Sequence, residues 1–533
     1  AASDVYKRQI MGSTWSRREF LKKHAELIAT LLPSLALGGI APFVHGASRR
    51  ISNLSDDPFT LGVASGDPTP DAVVLWTRLS QEILRENGIA DQAVQVDYEL
   101  SESPNFQKIT RSGSVVASPE LGHSAHADIR GLDSDKTYFY RWHIGGATSQ
   151  IGRTKTAPPA SANTEQFRLA FASCQQYEHG YFTAYKHMAE EEFDLIVHLG
   201  DYIYERSWGD NLVRHHEGPE IRTLQDYRDR YHTYKSDPDL QAAHASAPWV
   251  VTWDDHEVDN NYAADIAEDD QTPEQLLARR VNAYQAWYEF MPIRLPVGRQ
   301  GPDMPIFRRL RFGNLMEMYV LDTRQYRDNQ ACGDGRKTSC EEHKDPSRTA
   351  LGQAQKKWLL DNLVTTDATW NVFAQQIMMA SLRGVSEDGD QLWPMDLWDG
   401  YPHERQELLE HIDSVSTPNP IVLTGDIHSN WVADLKLNFD QINSKVVGSE
   451  YIGTSISSGG DGQDLTNYGE GLLSNNPHVK FYNANRGYVA TTLTPTLWRA
   501  DYKVVPYITQ KGSPINIRKT FVTEAGKPGV QEG

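Results

Sequence analysis

The chain is short of positive charge: 52 Lys and Arg stand against 71 Asp and Glu, a net of −19 over 533 residues. It therefore lacks the broad basic surface with which a protein grips a phosphate backbone irrespective of sequence, and no specific nucleic-acid binding is expected. It also lacks an unbroken apolar stretch of about 20 residues, the length of a membrane span, so no stable membrane anchor is expected. No amphipathic basic helix suited to a lipid surface stands out. Tandem repeats, low-complexity tracts and heptad runs are absent. What is there is 39% hydrophobic and 10% aromatic, too apolar for a disordered chain. An acidic balance still admits small phosphate esters, because a bound divalent or trivalent ion dominates its own neighbourhood.

Cysteine is scarce as well, with three in the chain. Cys332 and Cys340 bracket a polar loop, Gly333-Asp334-Gly335-Arg336-Lys337-Thr338-Ser339, as a surface disulfide of an oxidising compartment would. Closing so short a loop is worth roughly 2–3 kcal/mol on the chain-entropy account; the alternative is two free thiols. Cys174 is left over at the end of Phe167-Arg168-Leu169-Ala170-Phe171-Ala172-Ser173, which reads as a buried strand. On its own it is a packed core thiol or a ligand.

At the amino end, Ser16-Arg17-Arg18-Glu19-Phe20-Leu21-Lys22 precedes a weakly hydrophobic stretch, Leu27 to Phe43, interrupted by Pro33, Gly38, Gly39 and Pro42. Small residues follow near Val44-His45-Gly46-Ala47. This resembles a twin-arginine signal over residues 1–47, with Met11 as the expected start and the residues before it not native. The expected partner is the twin-arginine export machinery and the expected location periplasmic or secreted. That route carries folded proteins, which suits an enzyme loaded with a chosen metal inside the cell.

Residues 57–155 are strand-like, with Ala72–Thr77, Val94–Leu100 and Thr137–Trp142 separated by turn-rich spacers; they predict a small all-β sandwich of fibronectin or immunoglobulin type. A Pro- and Ala-rich linker, Thr156 to Ala162, follows. From 165 to 520, apolar runs alternate with helical segments such as Thr272–Phe290 and Leu351–Leu363, the pattern of a layered α/β domain.

Four of those apolar runs end in metal-type ligands. Phe171-Ala172-Ser173 leads to Cys174; Ile196 to Gly200 leads to Asp201, with Tyr204 one turn on; Trp249 to Trp253 leads to Asp254-Asp255-His256-Glu257; Ile421 to Gly425 leads to Asp426 and His428. Strand carboxyl ends gather at one edge of a sheet, where α/β sites form. A single Asp there is often a helix cap and a single His a satisfied polar residue, but four such runs together point to a multinuclear metal site.

These motifs resemble the metallophosphoesterase superfamily, with three departures: Ser173-Cys174 replaces an Asp-x-His pair, Asp255 stands for the Asn before the catalytic His256, and Asp426 replaces the first His of the late motif. The departures match the PhoD-like alkaline phosphatase and phosphodiesterase family, and the likeness runs from Asp57 to Val505 through Leu321-Asp322-Thr323-Arg324, Trp398-Asp399-Gly400-Tyr401-Pro402 and Ser455-Ile456-Ser457-Ser458. The resemblance implies an αββα phosphoesterase domain behind the β-sandwich. It also implies one Fe3+ with one or two Ca2+: Cys174, Asp201, Tyr204 and His428 as iron ligands, and Asp201, Asp255 and Asp426 serving calcium. Donor chemistry agrees, since thiolate and phenolate suit a trivalent ion and carboxylates suit calcium, whereas zinc sites more often offer several His or Cys.

The implied activity is hydrolysis of small phosphate mono- and diesters. Metal ions would neutralise the phosphoryl oxygens and activate an oxygen nucleophile, while His256 protonates the leaving alkoxide. Arg324 either holds phosphate bidentately or pairs with a nearby carboxylate. Asn260 and Asn261 either ligate calcium through amide oxygens or form the turn after the motif. A phospholipase D acting on lipid head groups is an alternative, and a metal-stabilised binding protein without turnover is one of another class.

Overall fold

The computed structural model describes residues 48–294 and 301–533; the twin-arginine reading falls on residues 1–47, outside the described residues. Two sheets form its centre. In the ten-stranded first sheet, the strands Phe167–Ala172, Leu195–His198 and Pro248–Val251 run parallel, and all their residues are buried except Arg168. Near-continuous apolar runs are what a parallel strand covered on both faces requires. His198 pairs with both Ala172 and Val251, so the three strands release the chain at one edge.

Antiparallel strands Arg486–Leu493, Leu497–Val505, Asn516–Glu524 and Lys527–Glu532 extend this sheet on one side, carrying the domain past the expected limit of 520. On the other side Val63–Thr69 pairs in parallel with Pro248–Val251 and is followed by Ala72–Arg78 and Ser124–Arg130. The expected all-β amino-terminal region is present, and some of its strands are shared with the large sheet. The region is all-β apart from the short helix Gln81–Glu86 and one 3-10 turn, but one of its layers is the end of the large sheet. Its other layer is a five-stranded sheet built on Val94–Ser101 and Thr137–Ile144. Val73, Leu75, Val96, Leu100, Tyr140 and Trp142 fill the space between the layers.

The second central sheet has seven strands, with Met316–Val320, Trp370–Gln375, Pro420–Thr424 and Val446–Ile452 parallel. It packs on the first: Phe171, Val197 and Val250 share a buried cluster with Val372, Ile421 and Leu423. The helices Leu224–Lys235, Pro238–Ser246 and Pro273–Phe290 belong to the cluster on the outer side of the first sheet, and Gly352–Thr365 and Pro402–Ser414 to that of the second. The layers are thus α, β, β, α, as the motifs imply. Among the described residues no helix is long and apolar enough to cross a membrane.

The helix Pro273–Phe290 shows how sequence props the site. Thr272 caps it in a reciprocal box with Gln275, and Pro273 occupies its first turn, where a missing N–H costs nothing. Leu276, Ala283, Trp287 and Phe290 recur at spacings of seven, four and three residues, along one face of the helix, and are buried. Tyr284 stacks on Trp253 with ring centres 4.0 Å apart, and Trp287 meets it edge-on at 5.0 Å. Trp253 immediately precedes Asp254, so this packing sets the base of the loop described next; truncating a buried ring of this size costs about 3–5 kcal/mol.

A candidate metal centre at the strand ends

Cys174, Asp201, Asp254, Asp255 and His256 leave the carboxyl edge of the first sheet, and Asp426 and His428 leave the same edge of the second. Four of them, Cys174, Asp201, Asp426 and His428, hold left-handed backbone with φ between 54° and 62°. Non-glycine residues adopt that region at a cost and gather there where function over-determines the backbone. Glycines make room for the turns: a Cβ on Gly200 would lie 2.5 Å from that of Asp254, and one on Gly425 would lie 2.7 Å from Ser173 Oγ. Gly-Asp at two strand ends is thus a steric requirement of bringing the loops together.

Ligand atoms of Cys174, Asp201 and His428 lie within 4.8 Å of one another, as do those of Asp201, Asp255 and His256, and those of Asp254, Asp255 and Asp426. Asp201 and Asp255 are shared, so the three groups form one connected centre. The Tyr204 hydroxyl joins it, lying 2.9 Å from Asp201 Oδ2, 3.1 Å from His428 Nε2 and 2.6 Å from Ser458 Oγ. His256 is fixed by Nδ1, which donates to Glu205 Oε2 at 2.6 Å, and its ring lies over Tyr204 at 4.1 Å.

The donor set fits a cation. Asp201 Oδ1, Asp254 Oδ2 and Asp255 Oδ1 are buried and accept no hydrogen bond, an expensive state for carboxylates unless an ion meets them. Burial opposes ionisation at each carboxyl. At Asp201 the imidazoles of His256 and His428 outweigh it and hold the group low. At Asp254 and Asp255 burial prevails over Arg324 and raises both, and it pushes Asp426 up to about 7. Burial and the Asp201 charge likewise raise the Cys174 thiol and the Tyr204 phenol. A bound cation would reverse these shifts, since it favours carboxylate, thiolate and phenolate alike. At His256 burial opposes the charge, yet Glu205, Asp201 and Asp255 raise it well above the ordinary imidazole value.

Two sequence expectations resolve toward their alternatives. Arg324 is fully buried and pairs with Asp254 through Nε, with Asp396 at 3.1 Å and with Asp426 at 3.0 Å; the geometry is that of the ion pair, with the guanidinium already occupied by carboxylates. Asn260 is not brought into the centre: its amide donates to Glu268 at 2.6 Å, in the turn after the motif. Asn261 comes closer, since its backbone N–H donates to Asp255 Oδ2 at 2.7 Å. Beside it opens a cavity of about 450 Å³ lined by Asn261, Glu268, Gln330 and Asp334 among others.

Sequence reasoning listed Asp254 and Glu257 at a strand end without giving them a role, and missed Glu205 and Asp396. Buried Glu257 accepts the backbone N–H groups of Asp201, Tyr202 and Asp254, at 3.1, 2.6 and 2.9 Å, and so ties two ligand loops together. Burial, with Asp201 nearby, pushes its carboxyl up to about 8. Glu205 orients His256, Asp254 adds a third carboxylate beside Asp255 and Asp426, and Asp396 anchors Arg324. Cys332 and Cys340 form the expected disulfide.

Comparison with known proteins agrees in extent. The PhoD-like phosphatase model matches residues 169–502, and the model of the amino-terminal domain of PhoD-like phosphatases matches residues 46–158. Alkaline phosphatase D of Bacillus subtilis (strain 168) is 46% identical over 525 residues, covering 98% of this chain and 89% of that protein. A solved structure described as "Structure of PhoD" superposes with a TM-score of 0.87 at 49% identity, over 90% of this chain and 93% of that one.

Proposed function

The chain belongs to the PhoD-like phosphatase family and is a phosphoric ester hydrolase, and from that premise we propose that it is an exported, metal-dependent enzyme hydrolysing small phosphate mono- and diesters. The observation that carries the metal dependence is the set of buried carboxylate oxygens on Asp201, Asp254 and Asp255 that accept no hydrogen bond, beside a thiol, a phenol and an imidazole. Cys174, Asp201, Tyr204 and His428 would hold ferric iron, and Asp201, Asp255 and Asp426, with Asp254 beside them, would hold calcium. When bound, the ions neutralise the phosphoryl oxygens and activate an oxygen nucleophile.

The chain's own part is proton transfer and positioning. As the ester P–O bond breaks and water supplies the new one, His256 gives the proton on Nε2 to the departing alkoxide, while Glu205 holds the ring by Nδ1. Glu257 keeps the Asp201 and Asp254 loops in register, the kind of support whose removal costs about 10–100-fold in metal affinity or activity.

Elemental analysis of the purified protein, run beside a panel of alkyl monoesters, diesters and phosphatidylcholine, tests the reading. Iron with calcium, a visible phenolate-to-iron band lost in Tyr204→Phe, and turnover of the small esters are expected. A colourless, iron-free preparation that is fully active with zinc would overturn the metal assignment. Activity confined to the phospholipid would favour a phospholipase. In the same cells Arg17→Lys/Arg18→Lys should strand activity in the cytoplasm; unchanged release would remove the twin-arginine route.

A further inference from the structure

The cations at the heart of the centre are already spoken for. Arg324 is enclosed by four carboxylates, Arg327 is paired with Asp396, and buried Arg486 donates to the His428 carbonyl, Ser455 Oγ and the Gly460 carbonyl. Arg206 differs. Its guanidinium lies 4.0 Å over the Trp208 ring, and that ring meets His256 edge-on at 5.8 Å. Its Nε is 3.6 Å from Glu205 Oε1, while the other oxygen of Glu205 holds His256. The side chain is 42% exposed, and among the described residues its terminal nitrogens have no hydrogen-bond partner.

The platform beneath it is anchored. The Trp208 carbonyl accepts from His179 Nε2 at 2.8 Å, and His179 Nδ1 accepts the backbone N–H of Gly459 at 3.0 Å. The adjacent Ser458 hydroxyl donates to the Cys174 carbonyl and meets Tyr204. The loop carrying Arg206 is thus tied to the segment that borders the proposed iron ligands. A guanidinium stacked on an indole keeps its donor edge free and loses less freedom on binding than an unsupported one, and its planar fork matches phosphate or carboxylate.

We propose that Arg206, seated on Trp208 beside His256, is a subsite for a second negative charge on the substrate, so that the enzyme prefers phosphate esters carrying another phosphate or carboxylate near the scissile group. This rests on the phosphoesterase reading and specifies its substrate class. A rival role is local: through Glu205, Arg206 would only tune His256, and every ester would then feel its loss alike.

The test is steady-state kinetics of wild type and Arg206→Gln on propyl phosphate and on its analogue carrying a second phosphate at the far carbon, at several salt concentrations. The wild type should favour the doubly charged ester, and added salt should erode that preference. Arg206→Gln should lose about tenfold more kcat/KM on the doubly charged ester than on propyl phosphate, chiefly in KM, with part recovered in Arg206→Lys. Equal losses on both esters, accompanied by a shifted pH profile, would assign Arg206 to the Glu205–His256 pair and overturn the proposal. So would an unchanged ratio. A wild type that turns over neither ester would instead sink the phosphoesterase reading, and the subsite with it.

Discussion

His256 presents one nitrogen to the substrate because the other is bound to Glu205, which makes proton donation from Nε2 the role its geometry allows. Such donation is typically worth 10²–10⁴-fold and matters most when the leaving group is poor. An alkyl alkoxide needs the proton, whereas nitrophenolate departs largely unaided. His256→Ala should therefore damage hydrolysis of alkyl esters far more than of matched nitrophenyl esters, measured as kcat/KM with metal content unchanged. Equal factors on the two would mean that His256 only hydrogen-bonds phosphate, since that loss is indifferent to the leaving group. At this scale the residues grouped from the sequence lie close together because the apolar runs they follow end side by side in parallel register. Sequence reasoning did not give Glu257 its holding role, and it did not name Glu205 or Asp396. A carboxylate that accepts three backbone N–H groups is written with the same letter as a solvated one, and nothing in spacing separates them. Glu257 did carry a signal, an acid immediately after Asp-Asp-His in a buried turn. Asp396 carried none.

The disulfide loop shows how an element reaches the site without contributing a ligand. Asp334 inside it accepts from Asn261 Nδ2 at 3.0 Å, and Asn261 in turn donates its backbone N–H to Asp255. The Gly335 carbonyl accepts from Met395 N at 2.9 Å, and Arg336–Lys337 pairs with Trp393–Pro394, just before Asp396. Releasing the loop should cost about 2–3 kcal/mol and should also loosen the cavity wall and the footing of Arg324. Cys332→Ser/Cys340→Ser is accordingly expected to melt a few degrees lower and to show a higher KM. Reductant should bring the wild type to the same values and leave the variant unmoved. A variant with wild-type melting and KM would show the crosslink to be incidental. The bracketed polar loop made the pairing legible, as apolar runs made the strands legible. The amino-terminal strands were legible as strands but not as part of the large sheet. Alternation reports which face of a strand is buried, whereas hydrogen-bond partners lie along the edges, where the sequence leaves no mark.

Taken whole, the fold encloses bases as well as acids, and one of them sets how stability should respond to alkali. Lys235 ends the helix Leu224–Lys235 fully buried, with its ammonium nitrogen 4.1 Å from the centre of the Trp76 ring and 3.3 Å from His244 Nε2. The titratable groups around it are His244, Tyr202, His198 and His126, none a carboxyl, and no carboxylate among the described residues pairs with it. Burial holds its amine well below 10.5. The sign follows: below 10.5 the unfolded chain binds a proton at Lys235 that the native chain, above its own depressed value, does not. Stability from this group therefore rises with pH, by about 1.4 kcal/mol per unit, until the unfolded amine also deprotonates. Other groups titrate over the same range: buried acids such as Asp259 and Glu450 do so near 7, and buried tyrosines such as Tyr231 are raised above 10. Comparing the wild type with Lys235→Met cancels what they share. Between pH 8 and 10 the wild type should gain on the variant, read from urea midpoints or melting temperatures at each pH. At pH 8 the variant should be the more stable of the two, because methionine fills the site without an amine to desolvate. Parallel curves across that range would mean that Lys235 stays charged inside the fold, with the Trp76 ring and bound water sustaining it, and the alkaline preference would have to come from elsewhere in the molecule.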